Sequence, residues 1–109
     1  MATTYKVLGQ SNPSATTLTD AYTVPAVTQA VISSIVIANR SATPTNYRIS
    51  VAINGAANAD SQYIAYGVVI GPNETQTLTL GISLGDTDVI RVYATLATLT
   101  FSIFGAELT

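Results

Sequence analysis

Histidine, cysteine and tryptophan are absent from this 109-residue chain, and only 9% of its residues are charged. Without histidine the usual proton shuttle of enzymes is missing, and without cysteine there is neither a thiolate nucleophile nor a disulfide. The two commonest protein ligands of transition metals are lost with them. We therefore expect no enzyme, no cofactor, no metal site and no small-molecule substrate.

The charge that is present is sparse and slightly acidic. Four Lys and Arg residues against six Asp and Glu residues give a formal net charge of −2. A protein that binds nucleic acid through its phosphates normally needs a basic patch, so we expect no nucleic-acid partner. Ordinary domains carry about 25% charged residues. Charge depletion is instead typical of the cores of protein interfaces.

Long hydrophobic runs are also missing. The longest apolar stretch, residues 30–38, is interrupted by Ser33 and Ser34, whereas a membrane span needs about 18 apolar residues. The start of the chain lacks the basic and apolar regions of a signal peptide. We therefore expect a protein that is made in a cytoplasm and has no membrane partner.

Short runs rich in β-branched residues, separated by Gly, Pro, Asn and Asp, make up most of the chain. Their spacing predicts one all-β domain over residues 1–109, an antiparallel β-sandwich of about eight strands, either immunoglobulin-like or a jelly roll. The predicted strands are Tyr5–Gly9, Leu18–Val24, Gln29–Asn39, Asn46–Ile53, Gln62–Val69, Thr75–Leu84, Asp88–Ala94 and Leu99–Glu107.

Alternation of apolar and polar residues assigns faces in three of these strands. The odd positions of residues 47–53 and 99–103 point inward, as do the leucines of residues 75–80. Tyr47 is in phase with this core. The predicted core comprises Ile35, Ile37, Ile49, Val51, Leu78, Leu80, Val92, Phe101 and Ile103.

Two strands, over residues 30–38 and 63–70, are apolar on both faces. Each sheet of a sandwich has one inner face, so the second face carries either scattered surface residues, which are normal, or a contact with another subunit. The low charge content favours a subunit contact. Arg91 alternates with apolar neighbours and should lie outside, in an ion pair or an interface. The candidate interface residues are Val36, Tyr63, Tyr66, Val69 and Arg91.

A pair of aspartates and a pair of tyrosines are the side chains that could form a site. Asp86 and Asp88 are two residues apart and could hold a metal or act as an acid–base pair, but their turn contains Gly85, where Asp commonly caps backbone N–H groups. Tyr63 and Tyr66, three apart on one strand, are expected on opposite faces, so at least one faces solvent. Serine and threonine are abundant, but no histidine can activate them. No catalytic residue is assigned.

Nearly the whole chain resembles small virion proteins of tailed bacteriophages, particularly those of cyanobacteria and aquatic bacteria. The segments that carry the resemblance are YKVLGQ at Tyr5–Gln10, TDAYTVP at Thr19–Pro25, IVIANRS at Ile35–Ser41, QYIAY at Gln62–Tyr66, LGDTDVIRVYA at Leu84–Ala94 and FGAE at Phe104–Glu107. Residues 26–28 depart from the small or glycine-containing turn expected after Pro25.

The resemblance implies a structural protein of the particle. A capsid decoration (cement) protein, a homotrimer bound to the major capsid protein on the capsid surface, fits the short length and low charge. A tail, baseplate or fibre-associated module fits the β fold equally well, and a sugar-binding tip domain is a weaker alternative.

Overall fold

The computed structural model describes residues 2–109 and contains nine strands and two short 3₁₀ helices. The 3₁₀ helices, Ile53–Gly55 and Asp60–Gln62, both lie between β4 and β5. The strands are β1 (Thr3–Ser11), β2 (Thr19–Thr23), β3 (Gln29–Asn39), β4 (Thr45–Ala52), β5 (Tyr63–Ile70), β6 (Thr75–Leu78), β7 (Ile82–Leu84), β8 (Val89–Ala94) and β9 (Leu99–Leu108).

The strands form two antiparallel sheets, which confirms the predicted β-sandwich. The first sheet has the order β1-β9-β3-β6, with β7 also paired to β3, and the second has the order β2-β8-β4-β5. If β6 and β7 are counted as one interrupted strand, the first strand pairs with the last, the second with the second-last, and so on to the middle pair. This is the pairing of an antiparallel ribbon wound into a jelly roll. An immunoglobulin-like sandwich has the orders ABED and CFG, so the architecture is the jelly roll.

The core lies between the sheets and confirms most of the predicted residues. Ile35, Ile37, Ile49, Val92, Phe101 and Ile103 are all fully buried. Val51 and Leu78 are partly buried and pack against this cluster. The buried Tyr47 ring meets Phe101 edge-on, with the ring centroids 5.9 Å apart.

The predicted strand over residues 75–84 is broken in two. β6 ends at Leu78, β7 begins at Ile82, and Gly81 between them has a φ of +62°. This conformation suits glycine and interrupts the extended backbone. The core assignment of Leu80 is therefore wrong: the side chain lies in the interruption and is 51% exposed.

The inward assignment of Ile53 is also wrong. β4 ends at Ala52, and Ile53 begins a 3₁₀ helix with its side chain 76% exposed. The segment of residues 53–62 folds back against β4 and β8. At the end of the second sheet where β4 ends, the side chains of Ser50 and Ala52 point outward and are nevertheless buried.

The turn after β2 holds the unusual sequence at residues 26–28 in a strained conformation. Val27 has a φ of +55° and a side chain that is 87% exposed. The left-handed region is unfavourable for β-branched residues, because Cβ approaches the following carbonyl oxygen. The valine therefore occupies a position that glycine or asparagine would fill without strain.

Candidate functional site

The five predicted interface residues lie on two different surfaces. Tyr63, Tyr66 and Val69 belong to β5 and Arg91 to β8, so these four lie in the second sheet. Val36 belongs to β3 in the first sheet, where it points outward between two buried neighbours. The structure therefore brings four of the candidates to one sheet and separates Val36 from them.

An arginine lies between two tyrosine rings on the outer side of the second sheet. Arg48 of β4 pairs with Tyr66 of β5 on one side and with Tyr93 of β8 on the other. Its guanidinium carbon is 4.2 Å from the centroid of the Tyr66 ring and 4.4 Å from that of Tyr93. A cation within about 6 Å of a tyrosine face is attracted by the ring quadrupole. We call the outward surface of Arg48, Tyr63, Tyr66, Val69 and Tyr93 the second-sheet face.

Tyr63 joins this cluster because of a shift in strand register. The expectation that Tyr63 and Tyr66 lie on opposite faces is wrong: their rings meet edge-to-face, with centroids 5.0 Å apart and an interplanar angle of 83°. The pairing of β4 with β5 shifts between Ile49 and Ser50, so Tyr63 pairs with Ser50 and Tyr66 with Arg48. Ser50 and Arg48 are two apart in β4, which places both tyrosines on the same face.

The charge of Arg48 has no carboxylate partner within residues 2–109. The salt bridges of this part of the chain join Lys6 to Glu107 and Arg91 to Asp20. The Nε of Arg48 is buried and has no hydrogen-bond partner. The guanidinium is therefore held by aromatic contacts, and its fork geometry is suited to a carboxylate that approaches from outside the chain.

Exposed apolar side chains of the edge strand β5 adjoin the cluster. Tyr66 is 61% exposed, Val69 is 67% exposed and Ile64 is 42% exposed. Aromatic residues and arginine are the types most enriched in protein interfaces and at their hot spots. Arg48 and Tyr93 were not among the predicted interface residues, because only the pairing of three strands brings them to Tyr66.

Arg91 has partners within the chain. Its Nε donates to Oδ1 of Asp20 at 3.0 Å and its Nη1 donates to the carbonyl of Ala56 at 2.9 Å. The side chain is 15% exposed. Of the roles predicted for this residue, the ion pair on the outer side of the strand is confirmed. The second bond attaches the segment of residues 53–62 to the sheet.

The outer side of the first sheet is a second apolar surface. Tyr5 and Val31 flank Ala106 in one cross-strand row, and Val7 lies opposite Phe104 in the next. Tyr5 is 83% exposed, Val7 is 49% exposed and Val31 is 43% exposed. We call the outward surface of Tyr5, Val7, Val31, Val36 and Phe104 the first-sheet face.

The charged residues of the first sheet lie away from that face. Glu107 of β9 is buried and connects the two sheets: its Oε1 is 2.8 Å from Nζ of Lys6, and its Oε2 accepts a 2.6 Å hydrogen bond from the hydroxyl of Tyr22 in the second sheet. Hydrogen bonds from Lys6 and Tyr22 hold the pKa of the Glu107 carboxyl below its usual value. Burial and the bond to Glu107 raise the pKa of the Tyr22 hydroxyl. The link thus pairs an ionised carboxylate with a neutral phenol.

The two aspartates of the β7–β8 turn behave as turn residues. Oδ2 of Asp88 accepts from the backbone N–H of Gly85 at 2.8 Å, and Oδ1 accepts from that of Asn54 at 2.8 Å. The predicted capping is therefore confirmed for Asp88, while Asp86 is exposed. Across residues 2–109 there is no group of three or more acidic, histidine or cysteine side chains that could hold a metal ion.

In the part of the chain that the structure describes, no helix has the length and apolar character needed to cross a membrane. No protein-family model matches the sequence, and no curated protein is significantly similar to it.

Proposed function

We propose that the protein is a structural component of a tailed bacteriophage particle, and more specifically a capsid decoration protein. In this role it lies on the capsid surface and stabilises the head through contacts with the major capsid protein and with copies of itself. The resemblance of the sequence to small virion proteins implies this role and implies a homotrimer. Jelly rolls occur in viral capsid proteins among others, which supports the proposal only by analogy, since a fold does not specify a function.

The observation that carries the proposal is the apolar first-sheet face. The protein already has a complete core between its sheets, yet Tyr5, Val7 and Val31 remain exposed in adjacent rows. The strands of this sheet carry two charged residues, Lys6 and Glu107, and these pair with each other off the face. An apolar surface without charge is the composition of an interface core.

The alternative roles in a particle differ in what they require of these surfaces. A sugar-binding tip would use exposed aromatic faces for stacking; Arg48 covers one face of Tyr66, whereas Tyr5 is 83% exposed. A tail, baseplate or fibre module would bury the same apolar surfaces as a decoration protein, and only the position in the particle separates the two. Position and copy number in the particle therefore distinguish these roles.

The test is the amount of this protein in purified particles, measured by quantitative mass spectrometry against the major capsid protein and localised by cryo-electron microscopy. A copy number comparable to that of the capsid protein, with density on the head, is the expected result. A few copies at one vertex or along the tail would favour the tail, baseplate or fibre role. Absence from intact particles would refute a structural role in the virion.

Variants then test which surface binds the head. Val31→Asp places a charge on the first-sheet face, while Thr23→Asp places the same charge on an exposed residue of β2 in the other sheet. Stable attachment through this face would bury at least about 1,000 Å² in total. Because burial of an unpaired charge is unfavourable, an aspartate on the face should weaken attachment to heads. Val31→Asp is expected to lose attachment while Thr23→Asp retains it. Equal attachment of both variants would exclude the first-sheet face.

A further inference from the structure

We propose that the second-sheet face binds a second copy of this chain about a twofold axis, and that Arg48 of each copy pairs with Asp60 of the other. The inference rests on the self-association included in the proposed function, but it does not depend on where in a particle the protein lies. It also departs from the homotrimer that the resemblance implies, because a twofold contact joins copies in pairs.

The cationic half of the contact is prepared in the single chain. The Arg48 guanidinium is fixed between Tyr66 and Tyr93 at 4.2 Å and 4.4 Å from their ring centroids. It has no salt bridge within residues 2–109, and its buried Nε has no hydrogen-bond partner. Because the Arg48 guanidinium is planar and already held in one orientation, it loses little conformational entropy when it binds a carboxylate.

The anionic half lies in the helix that leads into the second-sheet face at its Tyr63 end. Asp60 is exposed and begins the 3₁₀ helix that leads directly into Tyr63, and this helix packs against β4, the strand of Arg48. Most other acids are engaged within the chain by salt bridges or by hydrogen bonds from backbone N–H groups: Asp20, Glu74, Asp88 and Glu107. Asp86 lies in the turn between β7 and β8.

In a twofold contact the same surface of each copy meets its equivalent, so a residue and the residue that it contacts across the axis must both lie on that one surface. The second-sheet face and the helix that leads into it meet this requirement together: Arg48 contacts the Tyr66 ring, and Asp60 begins the helix leading into Tyr63, whose ring meets that of Tyr66. Two copies that meet through this face form the ion pair twice and cover the apolar side chains. The first-sheet face, which lacks charge, offers no such complementarity.

The edge of the second sheet favours contact through its face over strand addition. β5 pairs with β4 through two register shifts, and Gly67 within it has a φ of +65°. Bulges of this kind twist an edge strand and interrupt its hydrogen-bonding groups, which protects the edge from pairing with another chain. The partner copy is therefore expected to lie on the outward side chains.

Charge exchange between the two positions tests the contact. The readout is the mass of the purified protein by sedimentation equilibrium, from micromolar to millimolar concentration. Asp60→Arg changes an exposed residue and should raise the dimer dissociation constant at least about 100-fold, because two like-charge contacts replace two ion pairs. The matched control is Asp86→Arg, which makes the same charge change at the exposed acid of the β7–β8 turn and should leave the dimer intact.

The double variant Asp60→Arg with Arg48→Glu restores opposite charges across the axis and should recover the dimer. This rescue separates the interface from any loss of folding caused by removing Arg48 from its two rings. A wild-type monomer at the highest concentration, an Asp60→Arg protein that remains dimeric, a control that dissociates equally, or a double variant without recovery would overturn the inference. A trimer that is unaffected by Asp60→Arg would also overturn the inference, but it would leave the proposed function standing. Absence of the protein from particles would refute the proposed function and leave the dimer standing.

Discussion

Replacing Tyr22 with Phe removes a single hydroxyl from the link between the two sheets. In the native protein that hydroxyl donates a 2.6 Å hydrogen bond to Oε2 of the buried Glu107. The Tyr22 ring is 7% exposed and belongs to the core cluster. Because phenylalanine keeps the ring, the substitution isolates the hydrogen bond from the packing.

The expected cost follows from the groups that remain. A hydrogen bond to a charged group contributes about 1.5–3 kcal/mol. Lys6 still pairs with the carboxylate after the substitution, but its side chain is 47% exposed, and exposed ion pairs contribute about 0–1 kcal/mol. We expect the free energy of unfolding to fall by about 2 kcal/mol, which for a domain of this size lowers Tm by about 8 °C.

The pH dependence gives an independent check. The Glu107 pKa is lowered in the folded protein, so its contribution is present above the unfolded pKa of about 4.3 and is lost as the pH falls through the folded pKa. The Tyr22 pKa is raised, so its contribution is present below its unfolded pKa of about 10 and is lost as the pH rises above it. The difference between native protein and Tyr22→Phe should therefore be largest near neutral pH and shrink at both extremes.

Urea unfolding across this pH range measures the effect, with Tyr66→Phe as the matched control, since the Tyr66 ring is mostly exposed. The control should change the free energy of unfolding by less than about 0.5 kcal/mol. A Tyr22→Phe cost no larger than that of the control would show that the link does not stabilise the sandwich. A cost that does not change below pH 4 would show that the bond does not depend on ionisation of Glu107.

Other predictions concern the core, the strained turn, metals and the surface. Phe101→Ala should lower the free energy of unfolding in urea by about 3–5 kcal/mol, because the ring is fully buried; a cost below about 1 kcal/mol would contradict its place in the core. Val27→Gly should raise the same quantity by about 1 kcal/mol by relieving a positive φ, and a decrease in Tm would contradict that strain. Chelation with EDTA should leave Tm unchanged, whereas a drop restored by calcium would return Asp86 and Asp88 to a metal role. Val69→Asp should weaken self-association more than folding, because the side chain is 67% exposed; sedimentation and urea unfolding of one preparation separate the two effects.

Local sequence patterns predicted the strand bounds well where a strand is a long run of apolar and β-branched residues. The predicted bounds of β3, Gln29–Asn39, are those observed, because its inward positions are strongly apolar over many residues. The same reasoning failed at Leu80, where apolar and polar residues continue to alternate although Gly81 breaks the strand. Alternation reports which face a residue prefers, and it cannot report a change of backbone direction.

Strand order was beyond local patterns, and so was the candidate site. The choice of a jelly roll over an immunoglobulin-like sandwich depends on which distant strands pair, and each strand looks the same in either fold. Arg48, Tyr66 and Tyr93 come from three strands, and only their register places the guanidinium between the rings. Tyr63 reaches the same face through a register shift that leaves no trace in its sequence spacing.

The few charges of this chain are arranged in a way that gives its two outer faces different capacities. Pairing within the chain accounts for Lys6 with Glu107 and for Arg91 with Asp20. Arg40 donates to the carbonyl of Ala97, whereas Arg48 of the second-sheet face, and Asp60 in the helix that leads into that face, have no salt bridge within residues 2–109. Charged groups at an interface fix orientation and exclude wrong partners more than they add affinity. Apolar surface contributes roughly in proportion to the area covered and has no direction of its own. On our proposals, the second-sheet face therefore sets the alignment between two copies, while the uncharged first-sheet face supplies area for attachment to the particle. A protein with both faces apolar would associate without a defined register, so on these proposals Arg48 is the residue that gives the assembly of this chain its order.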